Sequence, residues 1–194
     1  DYMKSGASVI SDRAITRGMR SPGFTNVLYN NIYIDSIGMK GKIRFGMVGT
    51  GFIADWVLAG ARQDARFEAA AICSRNQATA DAFAAKHGIP HTFTSLEEMA
   101  RSPLVDAVYI ASPNALHASQ SILCMSCGKH VLCEKPLASN AREARAMIEA
   151  ARRYGVVLME AMIATLNPNF RIVREQLPRL GTVSYTHLTL PTIR

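Results

Sequence analysis

The 194 residues are 48% hydrophobic and 19% charged, with net charge +7 and mean hydropathy +0.06. That balance excludes a disordered chain and allows one good core plus the start of a second domain. No apolar run approaches the roughly 18–20 residues that cross a bilayer, and the opening residues lack the apolar core of a secretory signal, so a cytoplasmic protein with no membrane role is expected.

Residues 1–38 hold no sustained period and carry turn formers at Ser21-Pro22-Gly23 and Asn30-Asn31, which reads as a leader, disordered or foreign to the natural protein. Met39 then opens an ordered pattern and is the expected natural start. From Ile43 short apolar runs alternate with helical stretches. Strands are predicted at Ile43-Val48, Phe67-Cys73, His91-Phe93, Val105-Ala111, His130-Cys133 and Val156-Glu160. Several are apolar on both faces, as strands covered on both sides must be. The expected architecture is α/β, a doubly wound parallel sheet.

Helix ends are marked between the strands. Ser95-x-x-Glu98 and Asn140-x-x-Glu143 are capping boxes, while Gly88, Gly128 and Gly155 stop helices, two of them predicted over 76–87 and 114–127. The basic residues fall as scattered singles and pairs with acids between them, which reads as solvated helix faces and not as a nucleic-acid surface. Cys73 and Cys133 sit in apolar runs as small hydrophobes; Cys124 and Cys127 form a lone C-x-x-C without the second pair a zinc site uses, so no metal is expected.

The first strand runs into Gly49-Thr50-Gly51-Phe52-Ile53-Ala54, a G-x-G-x-x-A where strand becomes helix. Gly49 permits the tight turn, Gly51 lets a pyrophosphate approach the backbone, Ala54 lets the helix pack closely, and the free N–H groups of the new helix face the phosphate charge. A plain strand-to-helix turn is the alternative. Gly49, Thr50, Gly51, Phe52 and Ile53 are therefore cofactor-binding candidates. About 20 residues on, an NAD site would place an acid at the end of the second strand. This strand ends Cys73-Ser74-Arg75 instead, a hydroxyl and a guanidinium suited to a 2′-phosphate, so NADP is favoured over NAD, with NAD still possible. The alternative for Arg75 is an ordinary surface residue.

Ligands of open α/β sheets lie beyond the carboxyl ends of the strands. There the fourth strand leads to Ser112-Pro113-Asn114 with His117, and the fifth to Glu134-Lys135-Pro136. His117 reads equally as a packing residue or a site residue. Lys135, between an acid and a rigid proline, can serve as acid, base or anchor, the alternative being a solvated ion pair.

The glycine turn, the stretch Val105 to Asn114 with His117, and above all Gly128-Lys129-His130-Val131-Leu132-Cys133-Glu134-Lys135-Pro136-Leu137-Ala138 resemble the glucose-fructose oxidoreductase, inositol dehydrogenase and MocA family, from Lys42 to about Gly181. The resemblance implies an NAD(P)-dependent oxidoreductase whose Rossmann domain, here 39–162, precedes a substrate domain. Lys135 would take part in proton transfer. Glu134 and Pro136 would shape the nicotinamide end, often with a cis bond before the proline, and Ser112, Pro113 and Asn114 would line the cofactor. Glu160-Ala161 and Asn167-Pro168-Asn169-Phe170 resemble the crossing into the second domain, which 163–182 would begin. Residues 183–194 depart from the family and read as an artefactual tail, with a genuine edge strand as the alternative, and His187 is no stand-in for a catalytic histidine.

The chain is expected to bind cofactor while lacking most of the substrate domain, and to be inactive by itself. The longer parent would be a homo-oligomer acting on a sugar, polyol or related hydroxy or carbonyl compound. A non-catalytic nucleotide-binding module is the competing reading.

Overall fold

A computed structural model describes residues 41–162 and 168–180. The expectations for the leader 1–38, the start at Met39 and the tail 183–194 lie outside the described residues, as does part of 163–182. Among the described residues lie six strands, β1 (Ile43–Val48), β2 (Phe67–Cys73), β3 (His91–Phe93), β4 (Ala107–Ile110), β5 (His130–Glu134) and β6 (Leu158–Ala161). Between them lie α1 (Phe52–Ala61), α2 (Gln77–His87), α3 (Leu96–Arg101), α4 (His117–Ser126) and α5 (Ala141–Tyr154). The chain divides into two units after Met162, and in the second the described residues form one helix, α6 (Pro168–Leu180).

The strands form one sheet in the order β3-β2-β1-β4-β5-β6, every pair parallel. This is the doubly wound arrangement. Alternation within each strand builds the two cores. Ile43, Phe45 and Met47 of β1 join Tyr109 and Leu132 on the face that packs Leu58 of α1 and Phe83 of α2. Val48, Val108, Ile110, Val131 and Cys133 point the other way, onto Met99 of α3, Met125 of α4 and Met147 of α5.

The predicted caps form. The Ser95 side chain accepts the Glu98 N–H and that of Asn140 accepts the Glu143 N–H, while Gly88 and Gly155 close α2 and α5 at φ +58° and +64°. Glu143 Oε2 reaches back to the N–H of Ser139, one residue beyond the N-cap that the reciprocal capping-box bond would engage.

Several boundaries differ from expectation. The helix expected from Asn114 opens as a 3₁₀ turn, Asn114–Leu116, because the Leu116 N–H bonds Pro113 O at 2.8 Å before the α-helix begins at His117. The last strand starts at Leu158 and not Val156, whose N–H is taken by Ala151 O in the Gly155 cap. β4 is shorter than Val105-Ala111, although the N–H groups of Asp106 and Ala111 still bond β1 at Arg44 O and Val48 O.

Candidate functional site

Because all six strands run the same way, the residues that follow them gather on one edge. The glycine turn after β1 stands at its centre. Gly49 adopts φ +103°, and a Cβ there would lie 2.5 Å from the Ala111 carbonyl oxygen, so the β1 turn is pressed directly onto the end of β4. Gly51 caps α1 in extended backbone, φ −81° and ψ 173°, with no side-chain cap. A Cβ on Gly51 would meet nothing within 4 Å. Its carbonyl accepts the N–H groups of Ala54 and Asp55, while those of Thr50, Gly51, Phe52 and Ile53 carry no hydrogen bond among the described residues. Open space over a glycine and unfilled donors at a helix N-terminus fit the pyrophosphate of a dinucleotide.

Asp55, an acid in the first turn of α1, would repel such an anion if it stood alone. It is instead held by Lys86 Nζ at 2.9 Å and His87 Nε2 at 2.6 Å. The hydrogen bond from Lys86, then that from His87, keeps its carboxyl below the usual range.

At the end of β2, Ser74 donates its N–H to Phe93 O at 3.0 Å, leaving its half-buried hydroxyl at the edge. Arg75 is exposed and forms no ion pair among the described residues. The preceding thiol of Cys73 is pushed up to about 11, chiefly by burial, and is inert there.

Two turns complete the edge. After β4, Ser112 Oγ donates to Gln120 Oε1 at 2.5 Å, and Pro113 and Asn114 are exposed. After β5, the Lys135–Pro136 peptide is cis and both residues are exposed. The turn is anchored on every side of the lysine. Glu134 accepts the Tyr109 hydroxyl on Oε1 at 2.7 Å and the Lys135 N–H on Oε2 at 3.2 Å. Glu160 Oε1 accepts the Leu137 N–H at 2.7 Å. Burial pushes the Cys133 thiol, just before this turn, up to about 12, so it does not compete as a nucleophile.

His117 is fully buried, its Nδ1 2.8 Å from Pro136 O and its Nε2 2.9 Å from Ser112 O. Both ring nitrogens are thus engaged by main-chain carbonyls beneath the edge. Of the four cysteines, Cys124 is buried in α4 with its thiol pushed up to about 12, chiefly by burial. Among the described residues no cluster of three His, Cys, Asp or Glu side chains could hold a metal ion, and no helix is long and apolar enough to cross a membrane.

Sequence reasoning overlooked Tyr109 and Gln120. Tyr109 carried a signal, since a tyrosine in an otherwise apolar, fully covered strand needs a partner for its hydroxyl.

The sequence model of an oxidoreductase family with an NAD-binding Rossmann fold, GFO_IDH_MocA, matches residues 43–162. The chain is 52% identical over 141 residues to scyllo-inositol 2-dehydrogenase (NADP(+)) IolU of Bacillus subtilis, covering 73% of this chain and 43% of that protein. It is 37% identical over 143 residues to trans-1,2-dihydrobenzene-1,2-diol dehydrogenase of Mus musculus, again covering 73% of this chain and 43% of the relative. Among solved structures it resembles KijD10, a 3-ketoreductase from Actinomadura kijaniata in complex with NADP and TDP-benzene. The TM-score is 0.67 at 32% identity, over 72% of this chain and 43% of that one. The chain therefore spans less than half the length of these relatives.

Proposed function

The chain belongs to the GFO_IDH_MocA oxidoreductase family, and from that membership we propose that it is the cofactor-binding part of an NADP-preferring oxidoreductase acting on a sugar, polyol or related hydroxy or carbonyl compound. The observation that carries this reading is the convergence of four features on one sheet edge: the open Gly51 cradle, the free Arg75, the Ser112-Pro113-Asn114 turn and the anchored turn bearing Lys135. Relatives named as an NADP(+) dehydrogenase of scyllo-inositol and as a 1,5-anhydro-D-fructose reductase support the substrate class.

Gly49, Thr50, Gly51, Phe52 and Ile53 would hold the pyrophosphate, Ser74 and Arg75 the 2′-phosphate, and Ser112, Pro113, Asn114, Glu134 and Pro136 the nicotinamide end. When bound, NADP supplies the hydride acceptor or donor. Lys135 would take or give the proton at the substrate oxygen through Nζ, on a backbone that its neighbours prevent from drifting. Residues 39–162 form the cofactor domain in this reading, and 163–182 open the substrate domain. The longer protein would work in the cytoplasm as a homo-oligomer, without a nucleic-acid or membrane role.

The test joins this chain to a full-length protein. Lys135→Met should lower turnover by a factor of about a thousand and leave NADPH affinity near wild type. Unchanged turnover would remove Lys135 from the chemistry, and a full-length protein that binds NADPH yet turns over no polyol or sugar would point to a nucleotide-binding module.

A further inference from the structure

We propose that His117 is a positioning residue: a single buried imidazole that cross-links the Ser112 turn to the Lys135-Pro136 turn and so sets where Lys135 stands. The two turns continue neighbouring strands, and the ladder between those strands ends at the pair Ile110 and Cys133. Beyond that pair no backbone hydrogen bond among the described residues joins residues 111–116 to 134–137. The join is made by the ring, with Nε2 at Ser112 O and Nδ1 at Pro136 O.

The position suits such a clamp. His117 is the first residue of α4, so its backbone is fixed by the helix, and at 0% exposure no water competes for either nitrogen. Imidazole is rigid and presents two nitrogens at a set separation and angle. Both acceptors are main-chain carbonyls, so the clamp acts on the path of each turn whatever side chains the turn carries. A ring with one N–H donates to one carbonyl at a time, and with two it donates to both. The inference rests on the proposed function only in taking the two turns as the nicotinamide end of the site; the clamp itself can be tested without cofactor.

Two conservative variants divide the clamp. The amide nitrogen of Asn falls where Nδ1 stands and that of Gln where Nε2 stands, so His117→Asn keeps the Pro136 bond and His117→Gln keeps the Ser112 bond. In amide-resolved NMR spectra of the 194-residue chain, His117→Asn should displace the resonances of residues 111–115 more than those of 134–137, and His117→Gln should do the reverse. Residues 49–53 should stay in place in both. Shifts confined to α4, or the same shifts in both variants, would overturn the clamp.

Titrations with NADPH and with adenosine 2′,5′-bisphosphate, which lacks the nicotinamide half, then test its role. Each variant should weaken NADPH about tenfold, the worth of a lost hydrogen bond, and leave the bisphosphate unchanged. Equal loss of both ligands, or loss of neither, would overturn the positioning role. A wild-type chain that binds neither ligand would sink the cofactor reading, and the NMR comparison would still decide the clamp.

Discussion

The hydroxyl of Tyr109 donates to Oε1 of Glu134 at 2.7 Å, tying β4 to the last residue of β5. Tyr109 is 1% exposed and pairs in register with Leu132, so Glu134, two residues further on the same face, comes within reach. The acid of the Glu134-Lys135-Pro136 turn thereby acts as a bracket, with one oxygen on a buried phenol and the other on the lysine's own N–H. Tyr109→Phe keeps the ring and removes the donor. It should cost about 1.5–3 kcal/mol, as for hydrogen bonds to charged groups, read as a lower urea midpoint at unchanged slope. An unchanged midpoint would mean that the bracket holds nothing.

The two turn glycines should separate in their effects. Gly49→Ala puts a Cβ against the Ala111 carbonyl at a φ of +103° and should destabilise the fold by about 2 kcal/mol or more. Gly51→Ala meets open space in extended backbone, so the melting temperature should hold while NADPH affinity falls about tenfold or more. Calorimetry and fluorescence titration of the pair check this; a Gly51→Ala chain that binds as wild type would count against the cradle.

In the proposed site, cofactor choice is set at the end of β2. Arg75→Ala should weaken NADPH about tenfold or more and leave NADH untouched, because the guanidinium would pair with the 2′-phosphate alone. Equal affinity of the wild-type chain for both cofactors would refute that assignment.

Acid should destabilise the fold in two steps. Burial lowers the pKa of His130, an effect partly opposed by the charge of Asp106, and Nδ1 of its ring accepts the Val157 N–H at 3.0 Å. An unfolded imidazole titrates near about 6.5, so this contribution is complete above that pH and is lost as pH falls through the lower folded value. Burial pushes the Asp106 carboxyl up, but the hydrogen bonds and charge of Arg44 outweigh it and leave it below its usual range. Its contribution is complete above about pH 3.9 and is lost at lower pH. Urea unfolding followed from neutral to acid pH should show both steps, with His130→Asn removing the upper and Asp106→Asn reducing the lower, which Asp55 and Asp64, also held below their usual range, share. A single step in the wild type would contradict this.

Most of the architecture was legible because its signals are local. Ser95 and Asn140 cap helices within three residues of themselves, and Gly88 closes one where it stands. Strand and helix alternation placed all six strands in order, and the composition of each turn named Ser74, Arg75 and Lys135 as residues of one edge. What stayed hidden depends on pairing at a distance. The Tyr109–Glu134 bond needs the β4–β5 register, and the seat of His117 needs the path of a turn 19 residues away. The start of β6 was misjudged for a related reason, since Val156 looks like a strand residue until the Gly155 cap takes its N–H.

The place of β1 in the sheet has a bearing on how the protein must be made. It is synthesised first of the six strands, yet it lies inside the sheet, with β2 on one side and β4 on the other. Arg44 in β1 waits 62 residues for Asp106. Until β4 has left the ribosome, the open side of β1 offers a bare edge of unpaired N–H and C=O groups to any passing chain. A nascent polypeptide arrested between β3 and β4 should therefore be the form that chaperones hold longest, and one released past Ile110 the first able to cover its own middle.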